Sequence, residues 1–171
     1  MIRKKIVVLG EMAVGKTSIL RCVTDQPFEG NYKGTLGHDI YVHKLSGFGA
    51  DGKHEMELVI WDTDGGLGTT IFQHDAAVKG AAAAIIVGDV SRRRTLVTMA
   101  ALAKKCDEFL PGRHVHFLFN KIDLLGDATD VAVPTELAAF PHPIVKTSAL
   151  TGDNIKEAFA DAANAIVRRG L

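Results

Sequence analysis

The chain has 171 residues, of which 47% are hydrophobic, 6% aromatic and 23% charged, and 20 basic residues balance 20 acidic ones. This length predicts a single domain over residues 1–171, and the composition excludes collagen, coiled coil and disorder. A formal charge of zero removes the general electrostatic drive for nucleic-acid binding and leaves only a local basic patch as a route to it. We therefore expect no nucleic-acid partner.

Short apolar runs alternate with helical stretches along the chain, a pattern typical of a parallel sheet covered by helices on both faces. Two of the runs are joined by a glycine-rich piece and predict a hairpin. We predict an α/β fold with a doubly wound, six-stranded mixed sheet, His38–Lys44 as its one antiparallel edge strand, and about five helices. Ligands of such folds lie at the carboxyl ends of the strands. The predicted strands are Ile6–Leu9, His38–Lys44, Met56–Trp61, Ala83–Val87, His116–Phe119 and Ile144–Lys146. The predicted helices between and after them include Lys16–Thr24, Thr95–Phe109 and Asn154–Arg169.

A glycine-rich motif, GEMAVGKT at residues 10–17, directly follows the first strand and precedes an apolar helix. This is GxxxxGK[ST], in which backbone N–H groups curl around a phosphate and the helix adds its positive end. Lys16 is predicted to reach the β- and γ-phosphates, and the Thr17 hydroxyl to bind Mg²⁺. An ordinary glycine turn is disfavoured because strand and helix are both in place. The predicted nucleotide-binding residues here are Glu11, Met12, Ala13, Val14, Gly15, Lys16, Thr17 and Ser18.

A second motif, DTDG at residues 62–65, ends the apolar run of the third predicted strand. A carboxylate at that position, Asp62, can hold Mg²⁺ through a water molecule, and Gly65 can offer its backbone N–H to the terminal phosphate. Aspartate and glycine are common turn residues, so the motif is weak alone. Its position one hairpin after the phosphate loop makes it informative.

A third motif, NKID at residues 120–123, follows the run His116–Phe119. The Asp123 carboxylate can accept hydrogen bonds from guanine N1–H and N2–H₂, whereas adenine offers no such pair of donors. Lys121 can lay its methylene stem on the purine, and Asn120 can tie this loop to the phosphate loop. An asparagine-lysine turn before an aspartate cap is the alternative.

A fourth motif, TSAL at residues 147–150, ends the last predicted strand, and the Ala149 amide there can donate to guanine O6. It is very weak in isolation. Its predicted nucleotide-binding residues are Ser148, Ala149 and Leu150.

Together the four motifs resemble those of the Ras-like small GTPases, nearest to the Rab and Rho branches, and the resemblance extends from Lys4 to Arg168. It implies a P-loop NTPase G domain that binds GTP and GDP with Mg²⁺, switches between two states and hydrolyses GTP. It also places Phe28 against the guanine, Tyr32 in the first switch, and Thr35 over Mg²⁺ and the γ-phosphate. The implied catalytic residues are Lys16, Thr35 and Gly65, and the implied metal ligands are Thr17, Thr35 and Asp62.

The resemblance implies protein partners, namely effectors and regulators such as an exchange factor and an activating protein. They would bind through switch segments near residues 28–43 and 62–78. The alternative is a nucleotide-binding scaffold or interaction module with little or no GTP turnover. A phosphate-loop kinase is disfavoured because such kinases lack the Asn-Lys-x-Asp pattern.

The sequence departs from the family in ways that predict slow hydrolysis. Gly66 stands where relatives carry the glutamine that orients the attacking water, and Asp64 where they carry alanine. Met12 stands where many relatives keep a glycine that admits an arginine finger, so rescue by such an activator is expected to be poor. Gln73 and His74 are predicted on an exposed helix face. The alternative is that one of them positions the water.

We expect no membrane anchor in this sequence itself, so that any membrane attachment would depend on a partner. The longest apolar stretch, Gly80–Gly88, is far short of the roughly 20 residues of a membrane helix. No cysteine follows Cys106 to be prenylated, and Ile2 after Met1 excludes myristoylation. We therefore expect a cytoplasmic chain without an anchor of its own.

Three smaller expectations concern polar residues. His114 and His116 share one strand face and are predicted to be packed or solvated histidines rather than metal ligands. The tract 92–94, three consecutive arginines, is predicted to form a solvated turn. Asp153 is predicted to be the N-cap of the last helix, and Pro134–Phe140 a helix of one or two turns.

Overall fold

The computed structural model describes residues 2–27, 37–48, 52–74, 76–126 and 130–170. Six strands in these ranges form one mixed sheet. They are β1 (Ile2–Leu9), β2 (His38–Phe48), β3 (His54–Thr63), β4 (Ala83–Asp89), β5 (His114–Asn120) and β6 (Ile144–Thr147).

The strand order across the sheet is β2-β3-β1-β4-β5-β6. Only the β2–β3 pair is antiparallel among these strands, with Ile40 opposite Trp61, and β2 lies at the edge. The predicted mixed sheet with an antiparallel edge strand is confirmed. β2 extends beyond the predicted end at Lys44 because backbone pairing with β3 continues through Ser46, up to a register shift before Phe48.

Five α-helices lie in the described residues, together with two short 3₁₀ helices at Gly65–Thr70 and Ile122–Leu125. Two of the α-helices span a single turn, and one of these occupies part of the predicted helix Pro134–Phe140. None of these helices is both long and apolar enough to cross a bilayer. The helices are α1 (Lys16–Val23), α2 (Ile71–His74), α3 (Arg93–Phe109), α4 (Thr135–Ala138) and α5 (Ile155–Arg168).

The sheet has a buried core on each face. Along β1, Ile6 and Val8 pack in one cluster with residues of α1 and α5, whereas Val7 and Leu9 pack in the other with residues of α3. This alternation follows from the two-residue period of a strand. All seven residues of β4 are buried, as expected for a central strand covered on both sides. The predicted doubly wound arrangement is therefore confirmed.

The predicted N-cap of α5 is wrong. Asn154, in the left-handed conformation with φ of 58°, precedes the helix, and its side chain donates to the Lys146 carbonyl instead of capping. The Asp153 carboxylate accepts a hydrogen bond from the Thr151 hydroxyl at 2.7 Å. A local turn therefore uses the side chain that the sequence pattern assigned to the helix.

Three histidines lie together near the start of β5. The rings of His114 and His116 meet edge-on, with Nε2 of the first 3.5 Å from Nδ1 of the second, and His142 stacks on Phe140. Burial lowers the pKa of all three, and that of His114 falls to about 4 because its neighbours His116 and Arg169 also oppose protonation. The predicted shared strand face of the first two is confirmed.

We expect acid to weaken folding through these histidines. An unfolded histidine titrates near 6.5, whereas folded His114 stays neutral to about 4. Between these values the unfolded state binds more protons than the folded state. The contribution of His114 to the free energy of unfolding is therefore complete above pH 6.5 and is lost as the pH drops toward 4. His114→Gln should reduce that slope by up to about 1.4 kcal/mol per pH unit. Urea unfolding at pH 7.5, 6.5, 5.5 and 4.5 measures how the free energy of unfolding changes with pH in the wild type and in His114→Gln. Equal pH dependence in the two proteins would contradict the expectation.

Candidate functional site

The predicted motifs meet at one edge of the sheet. The phosphate loop follows β1, Asp62 lies near the end of β3, Asn120 ends β5 and Thr147 ends β6. Since these strands run parallel, their carboxyl ends share an edge. The topology thus brings together residues that are up to 137 positions apart in the chain, from Gly10 to Thr147.

Five successive backbone carbonyls of the phosphate loop, those of residues 10–14, accept hydrogen bonds from side chains. A carbonyl that is held in this way fixes its peptide plane, and so the direction of the next N–H. Convergent backbone N–H groups are what an anion site requires. The pairs, donor first, are Lys16 with Gly10 at 2.9 Å and with Glu11 at 2.8 Å, Arg92 with Met12 at 2.9 Å, Lys121 with Ala13 at 2.8 Å, and Asn120 with Val14 at 2.9 Å.

The ammonium group of Lys16 is buried, with 7% of the residue exposed. Burial lowers its pKa to about 8, against the opposing attraction of the Asp62 and Asp64 carboxylates. A polyphosphate at this position would add negative charge and favour the charged form of the lysine. Lys16 is therefore placed, chemically, to bind an anion.

A hydroxyl and a carboxylate meet beside this lysine. Thr17 Oγ1 donates to Asp62 Oδ2, while Asp62 Oδ1 is buried and makes no hydrogen bond within the described part of the chain. Burial raises the pKa of Asp62, and the Thr17 hydrogen bond and Lys16 oppose that shift. A buried carboxylate oxygen without a partner, next to a hydroxyl oxygen, matches the hard oxygen ligands that Mg²⁺ prefers. These residues therefore fit the predicted metal.

The DTDG motif folds directly onto the phosphate loop. A Cβ added to Gly65 would lie 2.5 Å from both the carbonyl carbon of Glu11 and the backbone nitrogen of Met12, so only glycine allows this approach. Asp64 Oδ1 accepts a hydrogen bond from the Gly66 N–H at 2.8 Å and caps the following 3₁₀ helix. The unusual carboxylate at position 64 thus has a local structural partner.

Residues 120–123, the loop predicted to bind a base and called the base-recognition loop below, are held by polar bonds that are buried or partly buried. Asn120 Oδ1 accepts from Thr147 Oγ1 and from the Ala149 N–H, both at 3.2 Å. Asp123 Oδ1 accepts from Ser148 Oγ at 2.5 Å, which orients the carboxylate. The Ala149 amide, predicted to donate to guanine O6, is therefore engaged by Asn120 through a bond at the long end of the normal range. Leu150 is 59% exposed beside this loop.

Sequence reasoning missed a buried carboxylate at the end of β4. Asp89 Oδ2 accepts from Lys121 Nζ at 2.7 Å and from Arg92 Nε at 3.1 Å, and Ser91 donates to Oδ1. Although burial raises it, the hydrogen bonds from Lys121 and Ser91 hold the pKa of Asp89 below its usual value. The prediction that residues 92–94 form a solvated turn is wrong, because Arg92 joins Asp89 to the phosphate loop and residues 93 and 94 begin α3. The available signal was topological, since β4 ends beside β1.

Some predicted residues remain without a structural account. Phe28, Tyr32 and Thr35 lie outside the described residues, and so does the side chain of His74. Gln73 is exposed, as predicted, and Ser18 lies half-buried in the first turn of α1.

A comparison with known protein families agrees with this geometry. The family model of the Ras family matches residues 5–168. The matched range contains the phosphate loop, the DTDG motif and the base-recognition loop.

Proposed function

Because the chain belongs to the Ras family, we propose that it is a molecular switch that binds GTP and GDP with Mg²⁺ and hydrolyses GTP slowly. Family membership makes it a GTP-binding switch in general. The observation that carries the finer proposal is the direct bonding of the base-recognition loop to the phosphate loop, from Lys121 to Ala13 and from Asn120 to Val14. Two elements that are proposed to recognise opposite ends of one nucleotide are thus bonded to each other.

Each proposed role follows from the chemistry of a side chain or peptide group. Lys16 would contact the β- and γ-phosphates, and the Gly65 N–H the terminal phosphate. Thr17, Thr35 and Asp62 would hold Mg²⁺, which when bound supplies positive charge against the phosphate oxygens. Lys16, Thr35 and Gly65 are the proposed catalytic residues, since phosphoryl transfer depends mainly on positioning and charge.

Removing the metal should speed nucleotide release. We expect EDTA to raise the GDP dissociation rate about tenfold or more, because the loss of one hold on a charged phosphate is worth more than about 1.4 kcal/mol. Thr17→Ala should release GDP quickly with or without EDTA. Stopped-flow fluorescence of labelled GDP measures these rates. Thr24→Ala, which removes a hydroxyl that within the described chain bonds backbone carbonyls at the other end of α1, should keep the full EDTA effect. EDTA-insensitive release from the wild type would contradict the metal site.

Hydrolysis is the step that tests this function. Gly66 has no side chain to orient water, and a Cβ there would lie 3.7 Å from Met12 Sδ, so two departures from the family adjoin one another. We expect slow single-turnover hydrolysis that Gly66→Gln accelerates, measured by phosphate release from preloaded GTP. Met12→Gly is the companion variant, since it opens the space for an arginine finger. A fast wild type that Gln73→Ala or His74→Ala cripples would show that the water is positioned from elsewhere.

The same observation favours a second candidate, a nucleotide-binding scaffold with hardly any turnover. It predicts no measurable phosphate release in Gly66→Gln or with cell extract, although GTP still binds. The single-turnover experiment therefore separates the two.

Partners are proposed to bind at the switch segments near residues 28–43 and 62–78. In the described part of these segments, the edge strand β2 exposes Ile40 and Val42 by 55% and 45%, and Trp61 pairs opposite Ile40. Apolar side chains on an exposed edge suit a protein partner. We place this activity in the cytoplasm, since Cys22 and Cys106 are free thiols of the kind typical of reducing compartments.

A further inference from the structure

The carboxylate of Glu11, in the phosphate loop, is held by two side chains of α3. Oε2 lies 3.1 Å from Arg94 Nη2 in a salt bridge, and Oε1 accepts a hydrogen bond from Thr98 Oγ1 at 2.5 Å. The Thr98 bond above all holds the pKa of Glu11 below its usual value, with help from Arg94 and against burial. Both oxygens of an acidic side chain in the phosphate loop are thus tied to one helix.

A second connection runs parallel to the first. Arg92, at the start of α3, donates from Nη2 to the Met12 carbonyl at 2.9 Å and from Nε to Asp89 Oδ2 at 3.1 Å. Asp89 is 1% exposed and cannot move freely, so the guanidinium is fixed at both ends. Two consecutive residues of the phosphate loop, Glu11 and Met12, are therefore bound to the same helix terminus through independent side chains.

The acidic character of Glu11 makes this arrangement informative. A carboxylate beside bound phosphates repels them, and removing it should by simple electrostatics strengthen phosphate binding. Arg94 neutralises that charge only while the salt bridge holds. A side chain that is unfavourable for the ligand, but whose carboxylate oxygens are both bonded to a neighbouring helix, is suited to holding the loop against that helix.

We propose that this α3 latch, the contacts of Arg92, Arg94 and Thr98 with Glu11 and Met12, is a positioning element that slows release of the diphosphate. The proposal rests on the proposed function, since it concerns release of a guanine nucleotide. For a bound β-phosphate to leave the site, the phosphate-loop peptide groups around it must move apart. The latch opposes that movement at residues 11 and 12. The base-recognition loop makes separate contacts with residues 13 and 14, so the latch should act on the phosphate end of the ligand.

The test compares Glu11→Ala and Arg94→Ala with the wild type, using fluorescent GDP for release and unlabelled GDP and GMP for affinity. We expect both variants to release GDP about three- to tenfold faster, the effect of one lost charged contact. GMP, which lacks the β-phosphate, should bind all three proteins alike. The double variant should release GDP like Glu11→Ala, because that change already removes the contacts of Glu11 with both Arg94 and Thr98. Thermal melts of the variants check that the fold is retained.

Charge alone gives a different result. It predicts slower release from Glu11→Ala and faster release from Arg94→Ala, and opposite signs would overturn the latch. Lys105→Ala and Glu108→Ala, which break an ion pair at the other end of α3, are the matched controls and should release GDP like the wild type. A wild type that fails to bind GDP would overturn the proposed function and this proposal with it. Wild-type binding with unchanged release in Glu11→Ala would overturn the latch alone.

Discussion

Asp123→Asn should weaken GDP and GTP binding by about 10²- to 10⁴-fold, since it replaces a carboxylate that would accept two hydrogen bonds, each worth about 1.5–3 kcal/mol. Ser148 fixes one oxygen of this carboxylate at 2.5 Å, so the group is oriented before any ligand arrives. An asparagine there presents one acceptor and one donor. That pattern matches xanthine, which carries a carbonyl at C2 in place of the amine.

The measurement is calorimetric titration with GDP, ADP and xanthosine diphosphate. The wild type should prefer GDP strongly over ADP, and Asp123→Asn should prefer the xanthine nucleotide. Asp130→Asn, which changes an exposed carboxylate that faces Lys146 at 3.8 Å, should leave all three affinities unchanged. Equal wild-type affinities for ADP and GDP would contradict the assignment of guanine to this loop.

Asn120→Ala should lower both nucleotide affinity and thermal stability. The residue is fully buried, and within the described chain its side chain makes three hydrogen bonds, to the Val14 carbonyl, the Thr147 hydroxyl and the Ala149 amide. Its removal leaves three polar groups without this partner in a buried site, at about 1–3 kcal/mol for each group that finds no other. We expect a loss of about 3–5 kcal/mol in unfolding free energy and a GDP affinity reduced by more than tenfold.

Thermal melts with and without GDP measure both effects. Asn154→Gly is the matched control, since among the described residues the Asn154 side chain makes one exposed hydrogen bond and glycine keeps the left-handed backbone. It should melt within a few degrees of the wild type. If Asn120→Ala melts like this control, the buried bonds do not hold the two loops together.

The fold was predictable because its signals are local. Runs such as Ala83–Val87 are apolar throughout, which indicates a strand covered on both faces, and the glycine-rich loop between β1 and α1 has a known strand-to-helix setting. The position of the loop at residues 120–123 was predictable for the same reason, since Asn120 and Asp123 lie within four residues at the end of β5. The exact ends of β2 were not predictable because backbone pairing, rather than side-chain alternation, continues the strand through Ser46.

The contacts of α3 with the phosphate loop were not predictable from pattern alone. Arg92 and Met12 are 80 positions apart, and Arg94 and Glu11 are 83 apart, so no local spacing relates them. Three consecutive arginines more often lie in solvent, and Arg94 itself is 83% exposed at its side chain although it is bonded. The N-cap prediction for Asp153 was wrong for the opposite reason, since the deciding contact is local. The Thr151 hydroxyl, two residues away, donates to the Asp153 carboxylate.

The peptide groups of Ala13 and Val14 connect the base end of the proposed nucleotide site to its phosphate end. Lys121 and Asn120 donate hydrogen bonds to these two carbonyls. A ligand fragment that orders the base-recognition loop should therefore also restrict the phosphate loop. The second fragment then loses less conformational entropy when it binds. Guanosine and inorganic pyrophosphate should accordingly bind better together than the product of their separate affinities allows.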